Sequence, residues 1–268
     1  MDNLGEDLVL LSIKPDQGLL LRRRSLEFGL MGSELVRLAA LGRIAITDDA
    51  VIIRDPSPTR DAELDQALYS LATTRRPPQA KTWVSSPRRG ITDAYLARLT
   101  RSGVVQPEQR RDFLRIKYTV WRITDPGRYA YVRSVLDGIA RSGGPIDIAT
   151  AAFAGLAHAA GVTGLLYPGR ANHDVRRRFE QIAKGGQSAP AVRAAREALD
   201  RPLDPSIYTE AAARSASDAA MLAAAGAAAQ AAVQAATEAA VHAAVHATTH
   251  ASTDSGGHHD GGSSGGHH

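Results

Sequence analysis

Histidine side chains are the first candidates for chemistry in this chain of 268 residues, because they can transfer protons or bind metals. Seven of the nine lie near the C-terminal end, and three of these, spaced four residues apart, would share one face of a helix. No cysteine or partner carboxylate closes a metal site, so we interpret the seven as part of a solvated low-complexity tail that binds no metal. The seven are His242, His246, His250, His258, His259, His267 and His268.

Catalytic motifs are absent from the rest of the sequence. The other two histidines are His158 and His173, and His158 stands in the apolar run Gly-Leu-Ala-His-Ala, which favours a structural role. The chain has no cysteine nucleophile, no G-x-S-x-G or H-E-x-x-H motif and no calcium-binding loop. The nearest candidate for a phosphate loop, 164–170, lacks the Gly-Lys-Ser/Thr ending of a P-loop. We therefore predict a protein that binds no cofactor and is not an enzyme.

Basic residues are the remaining candidates for binding a ligand. All 32 Lys and Arg residues lie at or before Arg214, whereas four of the 28 acidic residues follow it, so the positive charge is concentrated in the first part of the chain. Two runs, 22–24 and 176–178, consist of arginine alone. Such a basic body indicates an acidic partner, either nucleic acid or an anionic membrane.

Helices must position these residues, because apolar side chains recur at helical spacing through most of the basic body. Short alternating runs predict a few strands, including a strand–turn–strand unit after Gly42. The predicted helices span 4–13, 26–41, 62–72, 92–102, 129–142, 148–160, 174–183 and 190–199, and the predicted strands 43–46, 51–53 and 113–123. The expected fold class is mainly α with short β-hairpins.

A change of composition marks the end of this body, which we predict to be one domain at 1–214. Residues 215–251 are mostly alanine and predict a helical extension, whereas the Gly/Ser/His segment 252–268 is typical of a disordered tail. The run 219–236 has the length of a membrane span, but its glutamines and weakly apolar alanines argue against one. The acidic start Met-Asp-Asn-Leu-Gly-Glu-Asp lacks the features of a secretory signal, which predicts a cytoplasmic location.

Five motifs resemble those of the Golgi phosphoprotein 3 family. The first is the segment 32–44 (GSELVRLAALGRI), where the family has E-L-A-L-R-G-R-I/L. The others are DAELDQALYSL at 61–71, PPQAKTWV at 77–84, RSGVV at 101–105 and LAHAAG at 156–161. Their order and spacing carry the resemblance.

The resemblance implies a single helical domain around a central four-helix arrangement, without enzymatic activity. Eukaryotic members bind phosphatidylinositol 4-phosphate on the Golgi and connect membrane-enzyme tails with vesicle coats. The positions that align with the family's headgroup pocket are Arg22, Met31, Pro145 and Ile148, none of which matches the family residue. This chain is therefore expected to bind anionic headgroups through a less specific basic surface.

Four arginines are the predicted contacts to lipid headgroups: Arg22, Arg23, Arg24 and Arg170. Three leucines precede the first run, so apolar and basic side chains adjoin one another there. The family's second feature is a hairpin that enters lipid and mediates self-association, and 163–170 aligns with it. The resemblance thus implies that Leu165, Leu166 and Tyr167 face the membrane.

Three hypotheses for the function follow. The leading one is a non-catalytic peripheral membrane adaptor that binds anionic, phosphoinositide-type headgroups and gains avidity as a homo-oligomer, because a few arginines at ~1 kcal/mol each bind only weakly. The alternative is a winged-helix regulator of nucleic acid, with 32–53 as recognition helix and wing, although Arg37 would be its only strong reader of bases. A third is a protein–protein adaptor that binds an unknown partner through the Ala-rich extension without touching a membrane.

Overall fold

The computed structural model describes residues 3–20, 23–47, 50–111, 115–142 and 146–183. The helix predicted at 190–199, the extension 215–251, the tail 252–268 and the seven histidines of the tail lie outside the described residues.

Helices dominate the described residues, which confirms the expected fold class. The α-helices are α1 (Leu4–Ser12), α2 (Arg23–Ala40), α3 (Ala62–Ala72), α4 (Ala80–Val84), α5 (Ile91–Arg101), α6 (Pro126–Arg141), α7 (Ile148–Ala159), α8 (Val162–Leu166) and α9 (His173–Ala183), and a 3-10 turn spans Arg170–Asn172. The strands are β1 (Ile44–Thr47), β2 (Ala50–Ile53), β3 (Val105–Arg111) and β4 (Lys117–Ile123). They form two antiparallel pairs, β1–β2 and β3–β4.

Helix α1 lies at the centre of the core. Leu8, Val9, Leu10 and Leu11 follow one another and are all fully buried. Because consecutive residues of a helix point in different directions, α1 must be enclosed on every side. It contacts α2, α5 and α7, and α2 also contacts α5 and α7. These four helices are the central arrangement that the family resemblance implies.

Aspartates begin three of the helices. Asp61, Asp125 and Asp147 accept hydrogen bonds from backbone N–H groups two or three positions later, at the starts of α3, α6 and α7. Such an N-cap contributes ~1 kcal/mol to helix stability. These caps explain why the three helices begin where they do.

Three elements differ from the sequence-based expectation. Helix α8 was expected to be part of a loop and helix α4 was not predicted, because five residues are too few to show helical periodicity. The strand β3 was not expected either, since Val-Gln-Pro-Glu-Gln-Arg-Arg has no alternation of apolar and polar residues. Its partner β4 confirms the second half of the strand predicted at 113–123.

Candidate functional site

The β3–β4 hairpin projects from the helical core. Its strands pair from Val105 opposite Ile123 to Arg111 opposite Lys117. Of all these paired residues only Val105 at the base and Val120 at the middle are buried. Since a strand rises ~3.3 Å per residue, the hairpin reaches roughly 20 Å from its base.

Basic side chains surround the far end of this hairpin. Arg111 and Lys117 lie directly opposite each other, and Arg115 lies in the connection between the strands. All three are exposed, and none has an ion-pair partner among the described residues. Like charges directly opposite one another destabilise a strand pair, so an external anion would relieve this repulsion. The hairpin therefore suits an anionic partner.

Exposed apolar side chains lie among these cations. Ile116 is 59% exposed and Tyr118 is 39% exposed, and Tyr118 lies opposite Arg110. Arg110 makes one exposed ion pair, of 3.5 Å, with Glu108. We define the hairpin tip as Arg110, Arg111, Arg115, Ile116, Lys117 and Tyr118. The tip thus combines cationic and apolar surface.

The predicted headgroup residues lie at two separate places in the chain. Arg22 lies outside the described residues, and Arg23 and Arg24 form the first turn of α2. Arg170 is exposed at the start of the 3-10 turn. It has no ion-pair partner among the described residues, so its guanidinium is available to an anion.

Two of the positions that align with the family's headgroup pocket, Met31 and Ile148, lie in described helices. Met31 is only 1% exposed within α2, so it packs in the core and cannot contact a headgroup. Ile148 begins α7, and Pro145 lies outside the described residues.

The expectation of a membrane-facing hairpin at 163–170 is wrong in its geometry. The segment contains α8, which ends at Leu166, and no strand pair. Leu165 and Leu166 are half-buried, whereas Tyr167 is only 7% exposed and belongs to the core. Among the described residues, β3–β4 is the hairpin whose strands are mostly exposed.

Tyr167 is buried because three neighbours bind it. Its hydroxyl donates a hydrogen bond of 2.7 Å to Asp137, and its ring stacks on Phe179 with centroids 5.7 Å apart. The guanidinium of Arg133 lies 5.1 Å from the ring centroid. The Tyr167 hydroxyl and Arg133 hold the pKa of Asp137 below its usual value despite partial burial. This cluster joins α6, α9 and the turn after α8.

Part of the second arginine run stabilises the same turn. Arg176 donates hydrogen bonds to the carbonyl oxygens of Tyr167 and Gly169, at 2.6 and 2.7 Å. Its guanidinium is therefore engaged within the protein. Arg177, by contrast, is exposed on α9 near Arg170 in sequence.

Helix α2 makes a close contact with the end of α7. A Cβ atom added to Gly29 of α2 would lie 2.9 Å from the Cβ of Ala160, which directly follows α7. Gly29 is five residues after Arg24, about 7.5 Å along the helix axis, and Ala160 is five residues before Leu165. The contact joins the first half of α2 to the turn between α7 and α8.

Two residues of the motifs behind the family resemblance, Glu34 and Glu63, take part in an ion network within the protein. Glu34 is fully buried and accepts two hydrogen bonds from Arg88, at 2.5 and 2.7 Å. Arg88 also lies 3.3 Å from Glu63, and the hydroxyl of Tyr95 lies 3.5 Å from Glu34. Burial raises the pKa of Glu34 to about 7, and the opposing effect of Arg88 only partly offsets it. These residues connect α2 and α3 with the start of α5. Glu34 and Tyr95 are buried, whereas Arg88 and Glu63 each keep a small exposed fraction.

A second ion network extends from the cap of α3. Asp61 binds Arg37 at 2.8 Å and Arg98 at 2.7 Å, and these two arginines hold its pKa below the usual value. Arg98 continues to Glu6, and Glu6 to Arg128, at 2.9 and 3.0 Å. Sequence reasoning did not find this network, because its members come from positions up to 122 residues apart. The network holds helices together and has no free charge for a ligand.

The described residues offer little for catalysis or metal binding. His158 is half-buried with Nδ1 3.1 Å from the Thr163 hydroxyl, as expected for a structural histidine. His173 is exposed beside Asp174. Across the described ranges, no three His, Asp or Glu residues cluster closely enough to hold a metal ion. In the same ranges no helix is both long and apolar enough to cross a membrane.

The helix proposed to read nucleic acid is enclosed by the protein. Leu35 and Leu38 of α2 are fully buried, and Arg37 is bound to Asp61. A recognition helix needs an exposed face that fits the major groove. The unit at 32–53 therefore lacks the geometry that the winged-helix hypothesis requires.

Comparison with known sequences agrees with the fold and the buried motifs. No curated protein matches this chain. The family model of Golgi phosphoprotein 3 (GPP34) matches residues 4–254, which crosses the boundary predicted at residue 214 and includes the Ala-rich extension. The match spans nearly the whole chain, and this protein belongs to the Golgi phosphoprotein 3 family.

Proposed function

We propose that this protein is a non-catalytic peripheral adaptor that binds anionic phospholipid headgroups through its hairpin tip. The observation that carries the proposal is the exposed pair Arg111 and Lys117, with Arg115, Ile116 and Tyr118 around it. A membrane interface accommodates cations at the headgroups and apolar side chains just below them. Family membership supports an adaptor role.

The expected affinity is low for a single copy. Three cations near an anionic leaflet contribute ~1 kcal/mol each, and a partly inserted isoleucine adds ~1–2 kcal/mol. The sum corresponds to roughly millimolar binding. We therefore propose that the protein acts as a homo-oligomer, whose copies bind one membrane together. Arg170 and the run 22–24 are proposed as secondary contacts.

Vesicle flotation tests this function. The wild-type protein should co-float at low salt with phosphatidylcholine vesicles that contain phosphatidylserine or phosphatidylinositol 4-phosphate, and not with phosphatidylcholine alone. The variant Arg111→Ala/Arg115→Ala/Lys117→Ala should bind about 100-fold more weakly, because it loses ~3 kcal/mol.

A matched control separates the effect of the hairpin tip on vesicle binding from the effect of net charge. The variant Arg54→Ala/Arg75→Ala/Arg76→Ala removes the same charge from exposed positions outside the tip. It should bind vesicles nearly as wild type does. Failure of the wild type to co-float, or equal losses in both variants, would contradict the proposal.

The protein–protein hypothesis has its own test. Deletion of 215–268 should leave vesicle binding by the hairpin tip intact. If the deletion instead abolishes capture of protein partners while wild type never binds vesicles, the adaptor acts without a membrane.

A further inference from the structure

The loop between α1 and α2 is fastened to the base of the hairpin. The backbone N–H of Trp121 on β4 donates a hydrogen bond of 2.8 Å to the carbonyl oxygen of Gly18. The loop itself is closed by hydrogen bonds from Gly18 N–H to Lys14 and from Lys14 N–H to Leu19, at 2.7 and 2.9 Å. It is therefore a small ordered turn that covers part of the β4 edge.

Gly18 is the residue that makes this contact geometrically possible. Its φ is +67°, in the left-handed region that favours glycine. A Cβ at this position would lie 3.0 Å from the Val120 Cβ and 3.1 Å from the backbone N and O of Trp121. Two independent constraints, backbone conformation and close approach, thus favour glycine here.

The turn places an apolar side chain beside the hairpin. Leu19 follows Gly18 directly and is 39% exposed, whereas Leu20 packs against the core. Tyr118 of the tip is three residues from Trp121, or about 10 Å along β4. Exposed apolar groups therefore occur both at the base of the hairpin and at its tip.

We infer that Gly18 is a positioning residue that holds Leu19 against the hairpin, so that Leu19 and the hairpin tip contact one anionic lipid surface. This inference rests on the proposed function. An anionic leaflet offers negative charge to Arg111, Arg115 and Lys117 and an apolar layer to Leu19. Nucleic acid would offer phosphates to the tip, but its backbone has no apolar layer to receive a leucine. The occupant is therefore the lipid surface.

Two variants with matched controls test this inference on the full chain. Gly18→Ala and Leu19→Ser should each reduce binding to phosphatidylserine-containing vesicles on the order of tenfold, the effect of losing one partly buried leucine. Gly90→Ala shares the left-handed φ of +78° but would meet nothing within 4 Å, and Leu41 is exposed at the end of α2. Gly90→Ala and Leu41→Ser should therefore bind as wild type does.

A double variant distinguishes positioning from general destabilisation. If Gly18 acts by placing Leu19, then Leu19→Ser should have no further effect on vesicle binding in the Gly18→Ala background. Additive losses would overturn the inference, as would wild-type binding by Gly18→Ala and Leu19→Ser. Circular dichroism melting establishes that each variant is folded.

The proposed function can fail separately from this inference. If the triple variant of the hairpin tip binds vesicles normally, the proposed function is wrong. If that variant loses binding while both loop variants keep it, only the role of the loop is wrong. If the wild-type protein binds duplex DNA but not vesicles, and the same variants lose that DNA binding, the partner is nucleic acid and not a lipid surface.

Discussion

Glu34 shows at the scale of one residue how the core tolerates charge. Its carboxylate is fully buried, and the fork of Arg88 binds both of its oxygens. Burial penalises the ionised form more than Arg88 favours it, so the pKa of Glu34 rises to about 7. The folded protein therefore binds a proton at Glu34 under conditions in which the unfolded chain releases it.

The pH dependence of stability should reveal this proton. Because the folded pKa of Glu34 lies above the unfolded value of 4.5, its stabilising contribution is present below pH 4.5 and is lost as pH rises through about 7. Relative to Glu34→Gln, which does not titrate, the wild-type free energy of unfolding should fall by on the order of 3 kcal/mol over that window. Urea denaturation at a series of pH values measures the difference. Parallel pH profiles for the two proteins would contradict the raised pKa.

Arg88 should matter most where Glu34 is ionised. At about pH 8 the variant Arg88→Met should lose ~3–5 kcal/mol, because it leaves a buried carboxylate without its main partner. At about pH 5 the loss should be smaller, since protonated Glu34 needs no counter-charge. Equal losses at both pH values would show that Arg88 acts through packing alone.

Tyr167 provides a second test at the residue scale. Tyr167→Phe keeps the ring stacked on Phe179 but removes the hydrogen bond to Asp137. Because the acceptor is a partly exposed carboxylate, we expect a loss of ~1–2 kcal/mol in the free energy of unfolding. Tyr131 is 70% exposed, so Tyr131→Phe is the control and should change stability little. Equal stability of Tyr167→Phe and wild type would show that the hydrogen bond contributes nothing.

At the scale of elements, the central helices approach one another where glycine leaves space. A Cβ on Gly5 of α1 would lie 2.6 Å from Cζ of the buried Tyr95 on α5. Gly29 provides the corresponding space between α2 and Ala160. The space at Gly5 accommodates the ring of Tyr95, whose hydroxyl lies 3.5 Å from Glu34, so the spacing of α1 and α5 and the ion network depend on each other.

Alanine substitution at two helical glycines should have opposite effects. Gly5→Ala should destabilise the protein by ~1–3 kcal/mol, because the ring of Tyr95 cannot move out of a filled core. Gly138→Ala should stabilise it by ~0.5–1 kcal/mol, since a Cβ there would meet nothing within 4 Å and alanine favours the helix. Thermal melts of both variants measure this contrast. A stable Gly5→Ala would show that α1 and α5 can separate at little cost.

At the scale of the whole molecule, positive charge is divided between the interior and the surface. One group of cations neutralises carboxylates within the protein: Arg37, Arg88 and Arg98. A second group faces solvent without an ion-pair partner among the described residues: Arg111, Arg115 and Lys117. Of these two groups, only the second is available to an external anion. The number of basic residues in the sequence is therefore larger than the number that can bind an external anion.

Salt should weaken membrane binding through this second group. Raising the ionic strength from about 0.05 to 0.5 M shortens the Debye length to a few ångströms and screens exposed charges. Wild-type flotation with phosphatidylserine-containing vesicles should fall steeply over this range, and the residual binding of the tip variant should change much less. A wild-type profile independent of salt would indicate that apolar contacts alone hold the protein on the vesicle.

Local sequence patterns determined the longer helices and the family. Helical periodicity acts over a few residues, so it is legible along the chain, as in α3. Tertiary structure alone decided that Tyr167 is buried and that β3 pairs with β4 in an exposed hairpin. Exposure depends on which distant segments cover a residue, and a strand of polar residues has no periodicity of its own. For the same reason the hydrogen bond between Gly18 and Trp121, more than a hundred residues apart in sequence, could be found only in the folded chain.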